Sequence, residues 1–207
     1  MAVSWHESDA LSSDELDAAL SYYAESKMIN ASAQGWSGEF SDSKKMQDFL
    51  TKCASLVAHL DRAIGKHTVE VGGLVYSGHG SSIGSIGSLR GSPKNFVGLR
   101  YRYPGYISAS ENVHVANGFV RTGASISSSD RPVRLSIELA RGQNILPLSA
   151  RTGQGAEMEF LLPRQTEFEI VQAEMVRVDG IERGVLSFTL RRTAGSNQSI
   201  GSGESKN

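Results

Sequence analysis

Apolar positions along this chain follow two different rhythms. In the first third they recur every three or four residues: Leu16, Leu20 and Tyr23 follow Ser12-Ser13-Asp14-Glu15, which carries a capping-box signal, and this predicts a first helix over residues 13–26. After a Gly/Ser-rich break at residues 34–43, Met46, Phe49, Leu50, Cys53, Val57, Leu60 and Ile64 line one apolar stripe. A long second helix is expected there, stopped by Gly65.

From His67 onward the period becomes two. Val69, Val71 and Val75 suggest a first strand, and Val133, Leu135, Ile137 and Leu139 alternate in another. Residues 160–162, 168–171 and 185–190 complete at least five strands. The expected fold class is α+β, with helices of an N-terminal part (residues 1–66) packed against a sheet sandwich over residues 67–192. Two stretches fit neither rhythm. Residues 78–95 are rich in Gly and Ser and, at that length, are expected to border a functional site. The polar residues 193–207 are expected to be a disordered tail.

Composition narrows the function classes. A chain of 207 residues can bury its own core as one domain. Its 21 Lys+Arg against 22 Asp+Glu leave a net charge of -1, so no field draws it to phosphate backbones or acidic membranes. Direct nucleic-acid binding and membrane association are therefore not expected. Cys53, the single cysteine, excludes a disulfide framework and is expected in the core. The five histidines, His6, His59, His67, His79 and His114, lack metal-ligand spacing, and no metal is expected. The opening residues lack a positively charged segment followed by an apolar run, and no stretch reaches transmembrane length, which leads to a cytoplasmic expectation.

Four blocks in order carry a family resemblance. They are Tyr22-Tyr23-Ala24-Glu25-Ser26-Lys27-Met28-Ile29-Asn30; Leu74-Val75-Tyr76-Ser77-Gly78; Pro104-Gly105-Tyr106-Ile107-Ser108-Ala109-Ser110 with Ala116 and Phe119 behind it; and Glu157-Met158-Glu159-Phe160-Leu161-Leu162-Pro163-Arg164. Together they resemble the mono-ADP-ribosyltransferases of the arginine-modifying toxin and phage type. That resemblance implies a split β-sandwich and NAD as substrate, with ADP-ribose passing to an arginine of a target protein, for which a host's transcription or translation machinery is the candidate source.

It also implies roles. Glu159 is the catalytic carboxylate, which stabilises positive charge developing on the ribose as the nicotinamide bond breaks. Glu157, two residues earlier, faces the acceptor, and Ser108 fixes the rotamer of Glu159. Tyr106 and Phe119 offer aromatic faces to the nicotinamide, with Ser110, Ser77 and Gly78 lining the NAD site.

One family feature is changed, since Ser77 stands where the family has an arginine that holds NAD. Its place can be filled by His79 two residues on, by Arg90, or by Arg100 or Arg102, the last two being preferred. The alternatives to a protein-modifying transferase are a degenerate module that binds NAD or a partner, an NAD glycohydrolase, and an enzyme modifying nucleic acid.

Overall fold

The computed structural model describes residues 2–33, 43–79, 91–124, 131–149, 159–182 and 184–193. Its elements run β1 (Ser4–Glu7), α1 (Ser13–Ala33), α2 (Ser43–Gly65), β2 (His67–Val71), β3 (Gly73–His79), β4 (Arg100–Tyr103), β5 (Ile107–Ser110), α3 (Val113–Ala124), β6 (Val133–Leu139), β7 (Leu146–Pro147), β8 (Glu159–Leu162), β9 (Thr166–Val176) and β10 (Val185–Arg192). The α+β class expected from the sequence is the one observed. Residues 80–90, 150–158 and 194–207, which hold Arg90, Glu157 and nearly all of the polar tail, lie outside the described residues.

The capping box at the start of α1 forms as its spacing predicts. The Glu15 amide donates to Ser12 Oγ at 3.3 Å, and the Ser12 amide donates to Glu15 Oε2 at 2.8 Å. Glu15 is buried and also receives Lys66 Nζ at 2.7 Å, which ties the end of α2 to the start of α1. Burial by itself raises the Glu15 pKa, but the lysine and the Ser12 contacts outweigh it and hold the carboxylate below its ordinary value.

The helix does not end near residue 26. Glu25 leaves helical geometry (φ -127, ψ 26) and kinks α1, and a second limb continues to Ala33. That limb carries the buried Ile29 and, one residue on, Asn30.

Eight strands are hydrogen-bonded in the order β4-β9-β10-β6-β3-β5-β8-β7, with β1 and β2 forming a separate antiparallel pair. Within the eight, β6 and β10 run parallel, and every other neighbouring pair is antiparallel. The ladder narrows to one register pair between β3 and β5, Tyr76 opposite Ser110, whereas β3 and β6 share seven. Here the sheet splits into two halves.

One apolar cluster draws on both halves: Val75, Val133, Leu135 and Ile137 from one, Ile107, Ala109, Phe160 and Leu162 from the other. The period of two then sets the opposite face. Leu161 belongs with α1 and α2, in a second cluster holding Ala18, Tyr22, Leu60, Ile64 and Tyr106. The single expected strand near residue 70 is in fact β2 and β3, broken at Gly72. Helix α3 and strands β1 and β4 lie in stretches where the sequence pattern had identified no element. Cys53 is buried as expected, and burial raises its thiol pKa.

Candidate functional site

The split between β3 and β5 opens into a cleft of about 660 Å³, bounded by α1, α3 and the start of β8. Ser77, Gly78, His79, Tyr106, Ser108, Ser110, Phe119 and Glu159 all line it, so eight of the expected site residues meet in one place. Tyr22, Ser26 and Asn30 of α1 line it as well.

Strand register brings the central pair together. On β5, Ile107 and Ala109 enter the core, so Ser108 and Ser110 project to the other face, where Ser110 pairs with Glu159 and Ser108 with Leu161. Across this ladder Ser108 Oγ donates to Glu159 Oε1. The backbone of Glu159 is held too, because its amide donates to the hydroxyl of Ser149. A carboxylate fixed at both side chain and backbone needs little reorganisation as charge develops opposite it. Ser149 carried no signal in the sequence, for it lies in no motif.

Ser77 and His79 extend the network. Ser77 is 4% exposed; its hydroxyl donates to the Ser108 carbonyl at 2.7 Å and lies 3.0 Å from His79 Nε2. A hydroxyl has one proton to give, and the carbonyl takes it. His79 must then donate from Nε2, which assigns the Nε2–H tautomer and leaves Nδ1 an acceptor. Burial lowers the His79 pKa to about 4, so the ring is neutral near pH 7.

Gly78 sits between these two with no room to spare. A Cβ there would lie 1.8 Å from the Ala116 carbonyl oxygen, so β3 and α3 meet backbone to backbone. The close approach sets α3 over the cleft with Val115, Ala116 and Phe119 along its wall. Phe119 is 56% exposed, and its ring is available to a flat ligand ring.

Three expectations need correction. Tyr106 is no free stacking face: it is 1% exposed, packs edge-on against Tyr22 at 5.9 Å, and its hydroxyl reaches Asp61 Oδ1 at 2.8 Å. The same Asp61 carboxylate takes a two-pronged contact from Arg164, whose Nε and terminal nitrogen both lie within 2.9 Å of Oδ2. Arg100 and Arg102, preferred for the NAD phosphates, do not line the cleft. On β4 it is Tyr103 that turns to the cleft and is buried, so the alternation sends both arginines out to solvent.

Asn30 joins α1 to this wall. The Tyr106 amide donates to Asn30 Oδ1 at 2.7 Å, and Asn30 Nδ2 donates to the Tyr22 hydroxyl at 2.9 Å.

A carboxylate held by a serine thus stands in the cleft where the sheet splits, with an aromatic ring at the rim. The chain belongs to the ADP-ribosyltransferase exoenzyme family, whose model matches residues 4–192, and NAD is its substrate. No curated protein matches the chain in sequence.

Among solved structures it is similar to Plx2a, an ADP-ribosyltransferase toxin from Paenibacillus larvae, at 18% identity and TM-score 0.62, over 89% of this chain and 88% of that one. The Clostridium limosum C3 exoenzyme is similar at 16% identity and TM-score 0.63, with 89% and 87% covered. BECa, an ADP-ribosylating toxin of a C. perfringens binary enterotoxin, solved with NADH, is similar at 15% identity and TM-score 0.66, over 88% of this chain and 44% of that one. At these identities the likeness is one of fold.

Proposed function

We propose that this protein transfers ADP-ribose from NAD to an arginine side chain of a target protein, releasing nicotinamide. The observation that supports it best is the Ser108 hydroxyl donating to Glu159 at the split of the sheet. Glu159 lies beneath the nicotinamide ribose and stabilises the positive charge that develops there as the bond from ribose carbon to nicotinamide nitrogen breaks. The acceptor guanidinium nitrogen then forms the new bond to that carbon and gives up a proton. Glu157, outside the described residues, orients the acceptor and takes that proton, and a glutamate at this place is what points to arginine.

In this reading Ser108 positions Glu159, Phe119 stacks on the nicotinamide, and Ser77, Gly78, His79 and Ser110 form the wall that NAD lies against. A neutral His79 with an accepting Nδ1 suits a hydroxyl or amide donor on NAD better than a phosphate. The protein acts on a host protein in the cytoplasm, as a phage effector or a bacterial toxin.

The test is incubation with NAD and host lysate, read by nicotinamide release and by a mass increment on arginine-containing peptides. Release together with arginine adducts supports the proposal. Nicotinamide release with no adduct makes the protein an NAD glycohydrolase, and neither product makes it a binding module.

A further inference from the structure

Strand β4 stands at one end of the eight-stranded order, and the backbone around it shows which of its groups face outward. The Gly98 amide donates to the Ile170 carbonyl at 2.8 Å, and the Ile170 amide donates to the Leu99 carbonyl at 2.9 Å. Both polar backbone groups of Ile170 are thus turned to this strand. Two residues opposite one, with Gly98 at φ 86, make a bulge that ends where β4 begins. Along an antiparallel ladder the direction alternates, so Phe168 and Thr166 also turn to β4 and bond their register partners Tyr101 and Tyr103. Arg100 and Arg102 stand in the other class of pair. Their N–H and C=O groups point away from β9, out of the sheet.

The side chains on this edge belong to a pattern. Register places Arg100 opposite Glu169, Glu169 opposite Arg191 and Arg191 opposite Glu138, so charge alternates across β4, β9, β10 and β6. Arg191 Nε meets Glu138 Oε2 at 2.7 Å. Arg102, opposite Glu167, starts a second row. Glu169 and Arg191 have opposite charge on both sides, whereas the exposed Arg100 and Arg102 have it on one side only. Among the described residues neither arginine side chain makes a hydrogen bond or an ion pair.

Charge decides what fits such an edge. A second copy of this chain set edge to edge would bring arginine against arginine, which is unfavourable. A strand with an acidic residue at every second position would continue both rows and bond the outward backbone groups. We infer that the outer edge of β4 is a docking site for an extended acidic segment of a partner protein, which pairs with Arg100 and Arg102 as an added strand. Because β4 runs to Tyr103, which lines the cleft, the docked segment reaches the cleft's border.

The test needs no ligand in the cleft. The probe is a capped peptide of about ten residues alternating Glu and Val, with a Lys and Val peptide as control. Amide hydrogen exchange is followed residue by residue by NMR. The Glu peptide is expected to slow exchange at Arg100 and Arg102 about tenfold or more, and to leave Gly98 and Tyr101, already bonded to β9, unchanged. The Lys peptide is expected to slow neither arginine.

A double variant, Arg100→Ala with Arg102→Ala, keeps both outward N–H groups and removes the cations. It is expected to bind the Glu peptide about fivefold more weakly, with a thermal midpoint within a few degrees of the starting protein's. No slowing by the Glu peptide, equal slowing by both peptides, or unchanged affinity in the double variant overturns the inference. So does slow exchange at Arg100 and Arg102 in the protein alone, which would show the edge already covered by this chain or a second copy.

Discussion

Ser77 and Ser108 join the two halves of the split sheet through one side-chain bond, the Ser77 hydroxyl donating to the Ser108 carbonyl at 2.7 Å. The bond lies one step from the Glu159 carboxylate, because Ser108 in turn donates to it. Ser77→Ala leaves the part-buried Ser108 carbonyl and the His79 Nε2–H without this partner, at an expected cost of about 1–2 kcal/mol. Nicotinamide release is expected to slow several-fold with a smaller change in KM, since Glu159 is loosened and NAD contacts are kept. Steady-state kinetics and a denaturant titration check both.

Glu159→Gln keeps an oxygen to accept from Ser108 but removes the charge that, in the proposed mechanism, faces the ribose. Nicotinamide release is expected to fall by roughly two to three orders of magnitude, the scale of losing one transition-state contact of this kind, with little change in thermal midpoint. Ser108→Ala, which leaves the charge and loosens its placement, is expected to lose about tenfold. Equal losses in the two variants would show that the serine does more than position.

How far the sequence could be read differs between elements for physical reasons. The first-turn capping box and the α2 stripe are local signals, and so is the alternation in β6; each appears where its spacing predicts. Helix α3 was not legible. Val113, Val115 and Val120 are β-branched, and Asn117 and Gly118 are poor helix formers, so local propensity argues against the helix that packing of Ala116 on Gly78 imposes. In β4 the alternation of Arg100 and Arg102 with Tyr101 and Tyr103 could have shown that the arginines and the tyrosines face opposite ways. The bond between Asp61 and Arg164 joins positions 103 residues apart and has no sequence signature. Tyr106 is withdrawn as a stacking face by its burial against Tyr22 and its own bond to Asp61.

His79 gives the fold a pH dependence whose sign follows from its pKa. In the folded chain burial lowers it to about 4, against 6.5 for a free histidine. Between those values the unfolded chain takes up a proton that the folded chain refuses. Stability is therefore fully present above about pH 6.5 and is lost as pH falls toward 4, by roughly 2–3 kcal/mol. His79→Gln removes the titrating ring, and its stability curve over that window is expected to be flatter than the starting protein's in denaturant titrations at fixed ionic strength.

Gly78→Ala asks how firmly α3 is set on β3. The added Cβ would fall 1.8 Å from the Ala116 carbonyl oxygen, which is backbone on a helix and cannot rotate aside like a side-chain end. Either β3 or α3 must shift, and α3 carries Phe119 while β3 carries Ser77 and His79. The expected cost is about 3 kcal/mol or more, within the range of overpacking where the obstacle is rigid. A variant that still folds is expected to raise KM for NAD more than it lowers kcat, because the wall of the cleft moves while Glu159 and Ser108, on β8 and β5, keep their pairing. Unchanged KM in a folded Gly78→Ala protein would mean that α3 does not form part of the NAD site.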